Sequence, residues 1–285
     1  MPLGTEDQER IRKGRVEPEL RIGEIPYLEC IPYFHPLREH YSQPEYRFVP
    51  GSPAELGPEL RQGRLDLSLA SALEYALVPQ DYLLLPGLAL GSRGALGSAL
   101  LFSDLLLDDM EESTVSISPA AVTASAALKI VFDKYLQYSV EFQTGWGDAE
   151  AFLLIGDAAL RERSLARYNY IYDLGALWEF HTHQPLVLAL WIVRREATSS
   201  KADLIRRLHR SLGYSLETAE QDYLRLARQV KGYEWLDPDQ MAEVWRKMQY
   251  RLEPADLEGL TRFYQDAEET GLIEQAPPLE FFGEL

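Results

Sequence analysis

YRFVPGSPAELGPELRQGRLDLSLASALEYALVPQDYLLLPGLALG, residues 46–91, alternates two kinds of chain. YRFVPGS, LDLSLAS and YLLLPGLALG carry apolar runs of strand length, bounded by Gly, Pro and Asp. Between the first two lies PAELGPELRQG, with Pro53 in its first turn and Gly63 at its end, the punctuation of a helix. ALEYALV is a shorter helical piece. The order β-α-β-α-β predicts an α/β domain with a largely parallel sheet.

Working outward, LRIGEIPYL (20–28) reads as an earlier strand and PYFHPLREH (32–40) as a loop or short helix. Downstream, GALGSALLFS (94–103) is an apolar run with glycines at its head. The same grammar resumes after the acidic break DLLLDDMEES (104–113). TVSIS is a strand, and PAAVTASAALKIVFDKYL is a helix with Leu128, Val131, Phe132 and Tyr135 at helical spacing. SVEFQTGW, AFLLIGDAAL, YNYIYDLGALWEF and PLVLALWIVRR complete this part. From Ser199 the chain reads as nearly all helix, with Leu204, Leu208 and Leu212 on one face, and it ends in a proline-broken tail. GSALLFS and PLVLALWIVRR bracket the second unit and read as two crossings between lobes. The expectation is a two-lobed clamp: 20–100 with 195–285 as one lobe, 101–194 as the other, and 1–19 as a flexible leader. In such folds ligands sit at the carboxyl ends of strands, often where domains meet.

Composition narrows the function. Of 285 residues 46% are hydrophobic and 26% charged, which suits a folded globular chain, and a net charge of −17 excludes a nucleic-acid footprint. An anionic ligand must therefore be held by local groups such as helix N-termini. One cysteine, Cys30, excludes an internal disulfide and a Cys-based zinc site and reads as a small buried hydrophobe. No stretch reaches the roughly 18–20 apolar residues of a membrane span. MPLGTEDQERIRKGRVEPEL is charged throughout and lacks the apolar core of a signal peptide, so a cytoplasmic protein is expected.

No GxGxxG, GxxxxGK[ST] or GxSxG signature is present, and GSRGALGSA fits none of these spacings. His181 and His183 have a chelating spacing but no supporting carboxylate or thiol, so no metal is expected. His35, His40 and His209 make no persuasive base. Small hydroxyls at strand ends are more informative. Ser71 ends LDLSLAS, Ser98 opens SALLFS, and Ser118 and Thr123 start the helix of the second unit. Singly each reads as a cap; gathered round one cleft, with free helix amides, they point to a small carboxylate ligand. Asp157, just after an apolar strand, reads as a cap or a further ligand contact. Trp178 and Trp191 read as core. Glu29 is less expected: IPYLECIP (25–32) sets a carboxylate where a plain turn would carry Gly, Asn or Asp.

Taken together, RIGEIPYLECIPYF, GSPAELGPELRQGRLDLSLASALEYA, LLPGLALGSRGALGSALLFS, LLIGDAAL and YDLGALWEFHTHQPLVLALWIVRR resemble the successive motifs of the chorismate dehydratase family. The resemblance runs from about Leu20 to Arg195 and more loosely through the C-terminal helices. It implies a type II periplasmic-binding-protein fold, in which two hinged lobes of mixed, mostly parallel sheet enclose a ligand cleft. The implied reaction is loss of water from chorismate, giving 3-[(1-carboxyvinyl)oxy]benzoate on the futalosine route to menaquinone. A dianionic small molecule as partner, no metal or organic cofactor, no nucleic acid or membrane, and a monomer or homodimer go with it. Residue by residue, Ser98 matches an expected active-site serine. The family's Asn-Thr-x-Pro, whose asparagine lines the site, is here Glu29, Cys30, Ile31 and Pro32. A double serine is here Ser71 and Ala72, a Thr-Ser is Thr123 and Ala124, and a Thr-Gly is Thr182 and His183. Glu29 and Ser98 are therefore the implied catalytic pair, with Ser71, Thr123, Ser118 and Asp157 as substrate contacts. Glu29 reads as a general base, as a protonated donor replacing the amide, or as the mark of a changed substrate. Two other functions stay open: a lyase making 1,4-dihydroxy-6-naphthoate, and a cytosolic binder of a small carboxylate.

Overall fold

In the computed structural model the described residues are 19–283. Apart from Glu19, the expected leader lies outside them. Ten strands form two five-stranded sheets. The first contains β1 (Leu20–Glu24), β2 (Tyr46–Pro50), β3 (Leu67–Ser71), β4 (Tyr82–Ser92) and, from much later in the chain, β10 (Leu186–Arg194), in the order β2-β1-β3-β10-β4. The second contains β5 (Ala99–Ser103), β6 (Thr114–Ile117), β7 (Glu141–Thr144), β8 (Ala151–Ile155) and β9 (Tyr170–Asp173), in the order β7-β6-β8-β5-β9.

The sheets share one plan. β1 pairs parallel with β2 and β3, as β6 does with β7 and β8. The strand reached across the seam runs against the rest: β10 is antiparallel to β3 and β4, and β5 to β8 and β9. Each sheet is thus mixed, with helices on its faces, as expected.

The crossings are placed differently from the sequence expectation. GSALLFS becomes a strand of the second sheet, and PLVLALWIVRR becomes a strand of the first. The chain crosses in the short loops before each run, near residues 93–98 and 183–185, so 186–194 belongs with the first sheet rather than the second. The physical reason is that both runs are apolar throughout. Such strands need burial on both faces, and the second-from-edge positions they occupy provide it.

Local chemistry accounts for the helices that matter below. Pro53–Arg61 opens with a capping box between Ser52 and Glu55 and stops where Gly63 adopts φ 71°. Val122–Ile130 is rich in alanine, which lets it approach the other lobe closely. Arg195–Gln221, which starts four residues earlier than expected, buries Leu204, Leu208 and Leu212 against the first sheet's side. The tail does not dangle: Leu84 N–H donates to Glu280 O (2.8 Å) and Phe282 N–H to Leu84 O (2.8 Å), covering the edge of β4. Trp178 and Trp191 are fully buried core residues.

Candidate functional site

The first strand ends at Glu24, and Glu29 lies beyond it, in a tight turn over Leu28–Cys30. This turn is held by side chains from distant parts of the chain. Leu28 N–H donates to Asp157 Oδ1 (2.9 Å), Trp245 Nε1 donates to Leu28 O (2.7 Å) and Tyr250 Oη donates to Glu29 O (2.8 Å). Cys30 N–H closes the turn on Tyr27 O (2.9 Å). Tyr33 in turn donates its hydroxyl to Ala89 O and Tyr250 O. With its backbone fixed, the turn directs Glu29, only 5% exposed, into a cavity between the lobes.

Ser98 reaches the same cavity from the first crossing. Asp173, at the end of β9, caps the following helix through Gly175 and Ala176 N–H and also accepts from Leu96 N–H (2.8 Å) and Gly97 N–H (2.6 Å). Ser98 O accepts Gly156 N–H from the second lobe (2.7 Å). The crossing is therefore braced on both sides, and the Ser98 hydroxyl, buried, has no hydrogen-bond partner. Neither has Oε2 of Glu29. Unmade hydrogen bonds of this kind are costly, and two at one cavity point to a ligand.

Ser71 and Thr123 meet across the seam, hydroxyl to hydroxyl, at 2.6 Å. Ser71 ends β3 where a short helix begins, yet its hydroxyl turns to the other lobe instead of capping. Thr123 also accepts weakly from Leu73 N–H (3.3 Å). Around these groups the walls are aliphatic, from Ile25, Leu90, Ile155 and Leu188, and contain no Lys or Arg. About 450 Å³ lies between the walls, but only about 40 Å³ admits the centre of a water molecule.

Burial pushes the Glu29 carboxyl up to about 8. Neighbouring Asp157 adds to this, while the Ser98 hydroxyl, close by though outside hydrogen-bonding geometry, and local backbone partly offset it. Glu29 is thus mostly neutral at pH 7. Burial also pushes the Cys30 thiol up, leaving it an inert wall residue as expected.

Of the six residues expected at the site, four line this cavity: Glu29, Ser71, Ser98 and Thr123. Two do not. Ser118, half-buried at the end of β6, uses its N–H on Leu153 O (3.0 Å). Asp157 stands behind the wall in the first turn of the helix Gly156–Leu165, with Oδ1 on Leu28 N–H and Oδ2 on Tyr233 Oη (2.9 Å). Both oxygens are spent on protein donors, so it is not a free ligand contact. The two histidines of HTH do not converge: His181 stacks on Tyr135, and His183 ends its helix at φ 55°. Among the described residues no three His, Cys, Asp or Glu side chains are grouped to hold a metal ion.

Sequence reasoning missed the supports. Tyr27 packs its ring against Gly156, where a Cβ would lie 2.6 Å from the ring and φ is +59°, so glycine is needed there. Asp173, before Leu-Gly-Ala at a strand-to-helix boundary, carried a legible capping signal. Trp245, Tyr250 and Tyr233 carried none.

Solved structures share this architecture. A protein of Archaeoglobus fulgidus superimposes with a TM-score of 0.72 at 17% identity, covering 91% of this chain and 100% of that one. The periplasmic aliphatic sulphonate binding protein of Escherichia coli gives 0.64 at 12% identity, covering 91% and 94%. The fold is that of the periplasmic binding proteins. Among curated proteins, the chorismate dehydratase of Thermus thermophilus is 29% identical over 275 residues, 87% of this chain and 96% of that protein. The 1,4-dihydroxy-6-naphthoate synthase of the same organism is 31% identical over 180 residues, 58% of this chain and 62% of that protein. The family described as menaquinone biosynthesis matches residues 20–269, and this chain belongs to it.

Proposed function

We propose that the protein is a hydro-lyase that dehydrates chorismate to 3-[(1-carboxyvinyl)oxy]benzoate. One observation carries the reading: a neutral buried carboxyl and an unpartnered serine hydroxyl face one cavity closed by both lobes. The near full-length likeness to the Thermus dehydratase supports it over the naphthoate synthase, which is matched over a shorter part.

In the reaction, the ring C–H at the carbon bearing the enolpyruvyl ether breaks and its electron pair completes the aromatic ring. The neighbouring C–O bond breaks, and the hydroxide leaves with the released ring proton as one water. Ser71 and Thr123, paired with each other at 2.6 Å, separate to donate to a ligand carboxylate. The helix Val122–Ile130 begins in the cavity lining, at Val122, Thr123 and Ala124, and free first-turn amides favour an anion there. Ser98 donates toward charge developing in the transition state. Glu29, holding its proton, donates where the family's asparagine would present an amide; ionised, it would repel a dianion within an aliphatic cavity. The aliphatic walls keep bulk water from these groups. On this reading the enzyme is cytoplasmic and uses no metal or organic cofactor.

Purified protein incubated with chorismate, with product followed by mass spectrometry, tests this. Formation of enolpyruvyloxybenzoate supports the dehydratase. Chorismate bound but unchanged would leave a binder, and no binding would end the substrate assignment. A turnover rate that falls as pH rises through about 8 supports the protonated Glu29, and one that rises would make it a base.

A further inference from the structure

Asp157 does more than close a helix end. It projects from the second lobe, and its two oxygens take donors from two separate parts of the first-lobe side: Leu28 N–H, in the turn that carries Glu29, and the Tyr233 hydroxyl, in the loop after the helix Tyr223–Gln229. Other contacts follow the same seam. Arg161, one turn further along the helix Gly156–Leu165, stacks on Trp235 at 3.9 Å, and Tyr27 lies on Gly156. The loop holding Tyr233 and Trp235 is therefore a strap laid across both lobes beside the cavity.

We propose that Asp157 is a positioning residue for Glu29, fixing the 28–30 turn across the seam so that the carboxyl meets the cavity only when the lobes are together. Leu28 is the neighbour of Glu29, and its N–H has no other acceptor in the structure. Opening the cleft removes Asp157 from that N–H and carries its negative charge away from Glu29. Closure then does two things at once. It orients the carboxyl, and it places a like charge nearby that favours the protonated form. The groups around Glu29 are Asp157, Tyr27, Cys30, Tyr233, Tyr250 and the Ser98 hydroxyl. None is cationic. Arg161 is the cation that acts on Asp157. Asp157 is therefore the one carboxylate among the groups that act on Glu29.

The titration part stands without the proposed reaction; only the kinetic part rests on it. Glu29 is followed by the infrared band of its protonated carboxyl, assigned as the band lost in Glu29→Gln. In ligand-free Asp157→Asn, which keeps an acceptor for Leu28 but removes the charge, the band should vanish about half a pH unit lower than in the parent protein. In Tyr233→Phe, which keeps the charge, the midpoint should stay. An unchanged midpoint in Asp157→Asn, or an equal shift in Tyr233→Phe, would overturn the electrostatic role. With chorismate, Asp157→Ala should lower kcat at least about 10-fold with KM little changed, and Asp157→Asn should recover most of the loss. Equal kcat in all variants would overturn the positioning role. Absence of turnover in the parent protein would count against the dehydratase reading alone.

Discussion

Two buried carboxyls sit on the seam between the lobes, and they are treated in opposite ways. Asp266, fully buried on the helix Pro254–Glu269, is met by Lys134 Nζ at 2.7 Å, Arg262 Nε at 2.8 Å and the Tyr135 hydroxyl at 2.5 Å. Lys134 and Tyr135 come from the second lobe, so this cluster, outside the cavity lining, ties the lobes together. Among the described residues Glu29 has no cation beside it, only hydroxyls, a thiol and another acid. The first arrangement resembles a structural joint, in which the buried charge is compensated by partners. The second leaves a carboxyl uncompensated, which costs stability unless it keeps its proton. A chain under no functional demand would place an amide or an apolar residue there. The contrast marks Glu29 as the carboxyl whose placement stability does not explain.

The contrast can be broken most severely at the joint. Asp266→Asn leaves Arg262 without its carboxylate and Lys134 with Glu269 alone, and should lower unfolding free energy by ~3 kcal/mol, read from denaturant curves. A loss within experimental error would mean the cluster is ornamental. Glu29→Gln should behave in the opposite sense. The carboxyl is raised from 4.5 to about 8, so the folded state binds the extra proton. Its contribution is fully present below about pH 4.5 and is lost as pH rises through about 8. Between pH 4 and 7 this group should therefore cost the parent protein ~3 kcal/mol, and Glu29→Gln should flatten that decline. Parallel stability–pH curves for the two proteins would refute the buried, protonated carboxyl.

Ser98→Ala sharpens the comparison from the side of chemistry. Turnover should fall by about 100-fold while stability holds or improves, since an unpartnered buried hydroxyl is removed. Near-normal turnover would take Ser98 out of the mechanism. The smallest effect belongs to a helix end. His183 ends its helix in the left-handed region, where the family resemblance has glycine. His183→Gly should stabilise by about 1 kcal/mol and leave activity alone. A melting temperature that does not rise would show that histidine is held there by other contacts.

How much of this was visible in the chain differs by element. The β-α-β-α-β order around residues 46–91 is written in apolar runs and Pro/Gly punctuation, which are local signals, and the structure follows it. The swap of β5 and β10 between sheets was not legible. An apolar run announces that it is buried but does not say which sheet buries it. Ser71 ends a strand and Thr123 starts a helix, which are local signals, whereas Glu29 and Ser98 stand out through the family resemblance; the structure brings all four to one cavity. Asp157 carried the same local signal and still lies behind the wall, because Leu28 and Tyr233, 129 and 76 residues away, take both its oxygens.

The sequence alone determined the α/β class, the two lobes and the residue types that gather at their seam, because periodicity, capping and hydroxyls at strand ends act within a few residues. Only the tertiary structure decided that Glu29 keeps its proton, that Asp157 braces rather than binds, and that Trp245 and Tyr250 hold the turn between them. Those outcomes depend on burial and on partners hundreds of residues apart in some cases, such as the 221 between Glu29 and Tyr250, and no local pattern encodes them.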